Sequence, residues 1–162
     1  MKTLFYITLL LLIASCSTPE SETCHRGITF FNNYYKDTYI SSMRSYPDTL
    51  YDVTRYYFIV SQAVFTKTLS GHNNRRSIST RRGCAESWFQ YGDTIKSCFV
   101  FDADVLENES AQTILDNYLV LQRYDLTLDN LIQLNFMLPF PPTEEMKHIR
   151  MYPPYGTYNE EK

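Results

Sequence analysis

The chain has 162 residues, with 18 acidic against 15 basic side chains and a net charge of −3. That length suits one domain with a hydrophobic core rather than two. The lack of a basic excess argues against a nucleic-acid partner, because phosphate binding requires a positively charged face. The 14 tyrosines and 10 phenylalanines favour β structure, since aromatic side chains fit pleated, half-buried surfaces.

Residues 1–15 have the pattern of a bacterial signal peptide. Lys2 gives a short positive start, residues 4–13 form an apolar run, and small residues precede Cys16. The run is shorter than the roughly 20 apolar residues that a membrane-spanning helix needs. We therefore expect export and removal of this segment.

The segment from Ile13 to Cys16 resembles the lipobox of bacterial lipoproteins: an aliphatic residue, two small residues and a cysteine. This resemblance implies that Cys16 receives a diacylglycerol, that cleavage follows Ser15, and that the new amino group takes a fatty acid such as palmitate. Two or three acyl chains hold a protein on a bilayer, at about 0.8 kcal/mol per buried methylene. Ser17 after the cysteine resembles the sorting pattern for the outer membrane, on either of its sides. The alternative is an ordinary secretory leader with a chance cysteine, which leaves a soluble protein.

Composition divides the rest of the chain into three parts. Residues 16–26 are predicted to be the lipidated cysteine and a polar tether, and residues 27–142 a β-rich domain. Residues 143–162 form a proline-rich tail, in which the prolines disfavour continuous regular structure. A capped turn at residues 143–147 is the only element that we expect there.

Short apolar runs separated by turn residues predict the elements of the N-terminal half. Strands at residues 27–33 and 38–41 would form a hairpin across residues 34–37. After the Pro47-Asp48 turn, we expect the following elements: strands at 56–60, 63–68 and 77–80, and one helical turn at 84–89 that packs Trp88 and Phe89 on the sheet.

The C-terminal half contains the clearest core strand, residues 94–103, because its apolar run is nearly continuous and bounded by turn signals. A helix follows with Asn108 or Ser110 as its N-cap, then a strand at 119–125. Thr127 caps a second helix, and a last strand at 136–140 ends in prolines. The helix begun by Thr127 is expected to present Leu128, Leu131 and Ile132 on one face. These elements predict a mainly β (α+β) fold, an antiparallel sandwich-like sheet with two short helices in the C-terminal half.

Three stretches, DTIKSCFVFDADVLE, LVLQRYDLTLDNL and the strand ending in Pro141-Pro142, resemble a group of small uncharacterised lipoproteins from anaerobic Gram-negative gut bacteria. That group has a cysteine followed by a Trp-Glu pair midway, whereas here Glu86 and Trp88 are separated and reversed. The resemblance implies a β-rich envelope protein. It implies no activity and no site.

Lipidation of Cys16 leaves Cys24, Cys84 and Cys98. An exported protein can oxidise its thiols, and three thiols allow three single pairings that each leave one free. Cys98 lies in the core strand, where cysteine behaves as a small hydrophobic residue. The pattern does not choose between these pairings.

Asp102 and Asp104 follow the core strand in a pattern that resembles the first motif of haloacid-dehalogenase-like phosphatases. The resemblance implies a nucleophile and a general acid beside a magnesium ion. Too few residues follow Asp104 to complete the doubly wound domain that this motif opens. The alternative is that the two aspartates end a strand and cap the next turn.

No metal site or cofactor is predicted, because the histidines stand singly: His25, His72 and His148. The arginines at 75, 76, 81 and 82 indicate a solvated loop that flanks a strand. We interpret the chain as a non-catalytic binding or structural lipoprotein whose expected partner is the lipid bilayer. A carbohydrate- or peptide-binding protein is the alternative, and it requires exposed rings among these tyrosines: Tyr34, Tyr35, Tyr39, Tyr56 and Tyr57.

Overall fold

Two sheets and a set of short helices make up the fold. The structure is a computed structural model that describes residues 24–60, 65–71, 74–79, 83–90, 92 and 94–157. Its strands are β1 Gly27–Asn32, β2 Thr38–Ser41, β3 Arg44–Ser45, β4 Phe65–Thr68, β5 Arg75–Ser79, β6 Lys96–Asp102, β7 Gln122–Leu126, β8 Met137–Phe140 and β9 Arg150–Tyr152. Its α-helices are α1 Leu50–Val60, α2 Ala103–Asn108, α3 Ala111–Asp116 and α4 Leu128–Gln133, and 3₁₀ helices span Ala85–Phe89 and Glu144–Met146.

The strands form a small sheet of order β5-β1-β8 and a large sheet of order β4-β2-β6-β7-β9, with β3 also paired to β6. Strands β1 and β8 run parallel, and the other pairs are antiparallel. The predicted mainly β (α+β) sandwich is therefore confirmed. The C-terminal half holds three helices rather than two, because α2 follows β6 directly.

Strand β6 is the centre of the fold, and all seven of its residues are buried. Successive side chains of a strand point to opposite faces. Cys98 and Val100 accordingly pack into the core between the two sheets. Phe99 and Phe101 pack into a second core that includes residues of the helices, which we call the helical core. A strand covered on both faces needs apolar residues at nearly every position, which explains the continuous run in the sequence.

The predicted hairpin between β1 and β2 is wrong. Strand β1 pairs with β5 and β8 in the small sheet, and β2 pairs with β4 and β6 in the large one. Asn32, at the end of β1, instead ties the connecting loop: its side-chain amide donates to the carbonyls of Lys36 and Thr68 at 2.8 and 3.2 Å. The two strands leave this loop into different sheets.

The strand predicted at 56–60 is also wrong, because those residues belong to helix α1. The helix begins where Asp48 Oδ1 accepts the backbone N–H of Leu50 at 2.9 Å. Leu50 and Val53, three residues apart, are buried in the helical core. The aromatic residues that follow suggested β structure, but the start signal and the helical spacing prevail. The neighbouring prediction for 63–68 is confirmed over β4.

The predicted tail is part of the folded body at least to β9. Met146 and Ile149 are buried in the core between the sheets, and β9 pairs with β7. Helix α4 differs in detail, since Leu131 is buried but Ile132 is 57 % exposed. No helix in the described part of the chain is long and apolar enough to cross a membrane.

Candidate functional site: a cleft between two strands and two turns

The aspartates of the predicted phosphatase motif shape a strand-to-helix corner. Asp102 Oδ1 accepts the backbone N–H of Asp104 at 2.9 Å and caps α2, which confirms the capping interpretation. Asp102 Oδ2 accepts a 2.7 Å hydrogen bond from Lys36 Nζ, and this bond raises the pKa of Lys36. Asp104 is exposed. Among the described residues, no three His, Cys, Asp or Glu side chains group in a way that could hold a metal ion.

The five candidate tyrosines do not form one binding face. Tyr39 is buried in the helical core, and its hydroxyl donates to Glu107 at 2.9 Å. Tyr34 packs on Phe140, and Tyr35 is 75 % exposed beside it. The side chains of Tyr56 and Tyr57 lie outside the described residues.

The structure selects one cysteine pairing: Cys24 and Cys84 form a disulfide, and Cys98 is a buried free thiol. Burial raises the pKa of the Cys98 thiol. Cys16, the predicted lipidation site, lies outside the described residues.

The disulfide lies within a clamp between residues 24–26 and 84–86. The backbone N–H of Ala85 donates to the carbonyl of His25 at 2.6 Å. The His25 ring stacks on Phe136 with 3.7 Å between centroids, and its Nδ1 lies 2.7 Å from Glu86 Oε1. Glu86 also accepts the backbone N–H of His25 at 3.2 Å. The start of the folded domain is therefore fixed by covalent, polar and aromatic contacts together.

A cleft of about 450 Å³ lies where β7 and β9 meet two turns, and we take it as the candidate functional site. Strand β7 contributes Arg123 and Asp125, and β9 pairs with it so that Arg150 lies opposite Asp125. The full lining is Asp48, Tyr118, Arg123, Asp125, Arg150, Met151 and Tyr152. Sequence reasoning assigned none of these residues to a site. One signal was present: Arg123 and Asp125 are two residues apart on a strand, which places both on one face.

Asp125 contacts both arginines of the cleft and is only 3 % exposed. Its Oδ1 accepts hydrogen bonds from Ser97 Oγ at 2.7 Å and Arg123 Nε at 2.9 Å. Its Oδ2 accepts one from Arg123 Nη2 at 2.7 Å and lies 3.3 Å from Arg150 Nε. These contacts fix both guanidinium groups relative to each other, and the bonds to Asp125 raise the pKa of Arg123.

Asp48 also accepts hydrogen bonds from residues of the protein, and it contacts Arg123 through a different nitrogen than Asp125 does. Its Oδ2 accepts Arg123 Nη1 at 2.9 Å and the Tyr118 hydroxyl at 3.1 Å, while Oδ1 serves the start of α1. Burial raises the pKa of Tyr118 to about 12, with a further contribution from Asp48. The tyrosine is therefore a neutral donor at neutral pH.

The backbone of Tyr118 lies in the left-handed region, with φ of 47°. It follows α3 at the position where glycine usually ends a helix, and the two bonds of that motif are present: Tyr118 N to Leu115 O at 3.3 Å and Leu119 N to Ile114 O at 3.0 Å. A side chain in this conformation costs roughly 1–2 kcal/mol. Such strain concentrates at functional sites, and here it accompanies a hydroxyl directed at Asp48.

Arg150 differs from Arg123 because its side chain is 62 % exposed. Its guanidinium carbon lies 4.8 Å from the centre of the Tyr46 ring, and its Nε contacts Asp125. Its two terminal nitrogens have no partner among the residues that the structure describes. They are the donors that the cleft can offer to a ligand.

The donor and acceptor inventory decides what the cleft can do. All four oxygens of Asp48 and Asp125 contact donors of the protein, and these contacts hold the Arg123 guanidinium between the two carboxylates. Among the lining residues that the structure describes, the terminal nitrogens of Arg150 and the ring of Tyr152, which is 58 % exposed, are open to a ligand. The arrangement suits binding of an oxygen-bearing ligand.

Comparison with protein-family models, curated proteins and solved structures found no match to this chain.

Proposed function

We propose that the protein is a lipid-anchored component of the bacterial outer membrane whose folded domain binds a ligand in the cleft without catalysis. The membrane partner would be the bilayer itself, through acylated Cys16. The observation that carries the binding role is that both cleft carboxylates are engaged by donors of the protein, while no described residue engages the terminal nitrogens of Arg150.

The disulfide supports export. Bridges between cysteines form and persist in oxidising compartments such as the bacterial periplasm and the cell surface. Cys24 and Cys84 are bonded at the point where the predicted tether meets the domain. This agrees with a leader that sends the chain out of the cytoplasm.

The clamp also sets how far the domain can lie from the membrane. Cys24 follows Cys16 by only eight residues. At full extension this segment spans at most about 28 Å. A protein anchored through Cys16 would therefore hold Cys24 within about 28 Å of the bilayer surface.

Replacement of Cys16 by Ser tests the anchor. We expect the native chain to sediment with the membrane fraction and to carry acyl groups by mass spectrometry. The Cys16→Ser chain should lose both properties. Cys98→Ser is the matched control, because that thiol is buried in β6 and its replacement should change neither property. Equal membrane association of the Cys16→Ser chain would exclude lipidation as the anchor.

A glycan and peptide array probed with the full chain in detergent tests the binding role. We expect a small set of related ligands to bind, and Tyr152→Ala to weaken their binding, since its ring is an exposed aromatic wall of the cleft. Tyr35→Ala removes a similarly exposed ring elsewhere and should have no effect. Ligands insensitive to Tyr152→Ala would place binding outside the cleft.

A further inference from the structure

Arg150 presents an oriented pair of donors. Its guanidinium carbon lies 4.8 Å from the centre of the Tyr46 ring, and its Nε lies 3.3 Å from Asp125 Oδ2, so these two neighbours limit where the guanidinium group can lie. A guanidinium held by its Nε offers two parallel N–H bonds from the terminal nitrogens. That fork matches the two oxygens of a carboxylate or a phosphate.

The charge of the cleft favours an anion with a single charge. Two arginines, Arg123 and Arg150, face two aspartates, Asp48 and Asp125, so the lining is neutral in total. A phosphate dianion at Arg150 would lie beside the Asp125 carboxylate without a net positive field to offset the repulsion. A carboxylate brings one charge, which the exposed guanidinium can match.

The wall next to this fork is a flat aromatic surface. Tyr152 packs against Tyr118 in an edge-to-face contact with 5.7 Å between centroids, which fixes its ring while 58 % of the residue stays exposed. An exposed tyrosine ring provides an apolar face with a polar tip, on which the C–H face of a pyranose can stack. The tyrosine and arginine are two residues apart on β9, so they lie on the same side of the strand.

An extended peptide fits this place less well. Strand β9 has three residues, and Pro153 and Pro154 follow it directly. Proline lacks the N–H that strand addition needs, and a short edge gives few main-chain bonds. The geometry therefore favours a saccharide over an added strand.

From these observations we propose that the cleft binds a hexuronic acid unit of an acidic saccharide. Its carboxylate pairs with the Arg150 fork, and its pyranose ring stacks on Tyr152. This inference rests on the proposed binding function and adds the chemical class of the ligand.

Calorimetric titration of the full chain in detergent tests the inference with four probes: methyl glucuronide, its methyl ester, methyl glucoside and inorganic phosphate. The free acid should bind roughly tenfold or more tightly than the ester or the glucoside, because a hydrogen bond to a charged group contributes about 1.5–3 kcal/mol and each 1.4 kcal/mol is tenfold in affinity. The advantage should shrink with salt. Phosphate should bind more weakly than the acid.

Variants locate the contact. Arg150→Gln should lower the affinity for the free acid to that of the ester, and Arg150→Lys should restore only part of it, since it keeps the charge but not the fork. The matched control is Arg75→Gln, which removes another exposed guanidinium that stacks on an aromatic ring, 4.9 Å from Phe31 on the small sheet. It should leave binding unchanged. Thermal unfolding checks that each variant is folded.

Each other outcome overturns the inference in a distinct way. Equal affinity for acid and ester, or no effect of Arg150→Gln, refutes the carboxylate contact. If Tyr152→Ala still weakens the binding of both the acid and the ester, the cleft binds saccharides without using their charge, and the proposed function stands. Tighter binding of phosphate than of the acid refutes the argument from charge. No saturable binding of the free acid refutes the ligand class, and the array decides separately whether the cleft binds anything else.

Discussion

Removal of the disulfide by Cys24→Ser with Cys84→Ser should destabilise the domain through the unfolded state. The bridge closes a loop with a sequence separation of 60 residues. In the chain-entropy description, a cross-link over that length restricts the unfolded chain by about 4 kcal/mol at 25 °C. In the native state the same segments stay joined by contacts of His25 with Ala85 and Glu86. We therefore expect little change in the folded structure and nearly the full loss in the free energy of unfolding.

Urea unfolding of the unacylated Cys16→Ser chain measures this loss, with and without the two further substitutions. The denaturation midpoint should fall. The slope of the free energy of unfolding against urea concentration should not decrease, because the unlinked chain exposes at least as much surface on unfolding. As a control, a reducing agent should destabilise the bridged chain to the level of the double variant and leave that variant unchanged. A difference below about 1 kcal/mol would refute the reasoning, since it would mean that the bridge barely restricts the unfolded chain.

Three further changes have definite expected outcomes. Thr127→Ala should cost about 1 kcal/mol in denaturant unfolding because it removes the bond that the Thr127 hydroxyl accepts from the backbone N–H of Asn130, whereas Thr143→Ala should cost almost nothing, since that side chain makes no capping bond. Cys98 should resist alkylation in the folded protein and react fully in denaturant; rapid reaction without unfolding would contradict its burial. Burial works to raise the pKa of Glu86, but the bonds from His25 lower it overall, so this carboxylate stabilises the fold above its ordinary pKa and loses that contribution as pH falls through the lowered value. Glu86→Gln should flatten the acid limb of a plot of stability against pH, and an unchanged limb would show that this pair is not responsible.

Local signals in the sequence were sufficient for the elements that depend on neighbours in the chain. The run at β6 predicted a buried strand because each of its faces meets a core. Thr127 and Ser110 predicted helix starts, and both make the expected capping bonds. Helix α1 was missed because its tyrosines and phenylalanine have high β propensity, while its start depends on one bond from Asp48.

The cleft was not predictable in the same way because its parts come from distant segments. Asp48 lies before α1 and Tyr118 after α3. Arg150 lies in a segment whose prolines argued against the short strand that forms there. The register of β7 with β9 places Arg150 opposite Asp125, and neither sequence distance nor composition indicates that pairing. An alternating Arg-x-Asp on one face of a strand was the available clue, and its partners came only with the fold.

The parallel pairing of β1 with β8 has a consequence for the order of synthesis. Thr29 is aligned with Met137, so the small sheet is completed only after β8 has been made, although β1 can pair earlier with β5. Contacts between such distant residues form late and slow the search for the native state. A nascent polypeptide of this topology therefore keeps one edge of β1 unpaired until β8 leaves the ribosome.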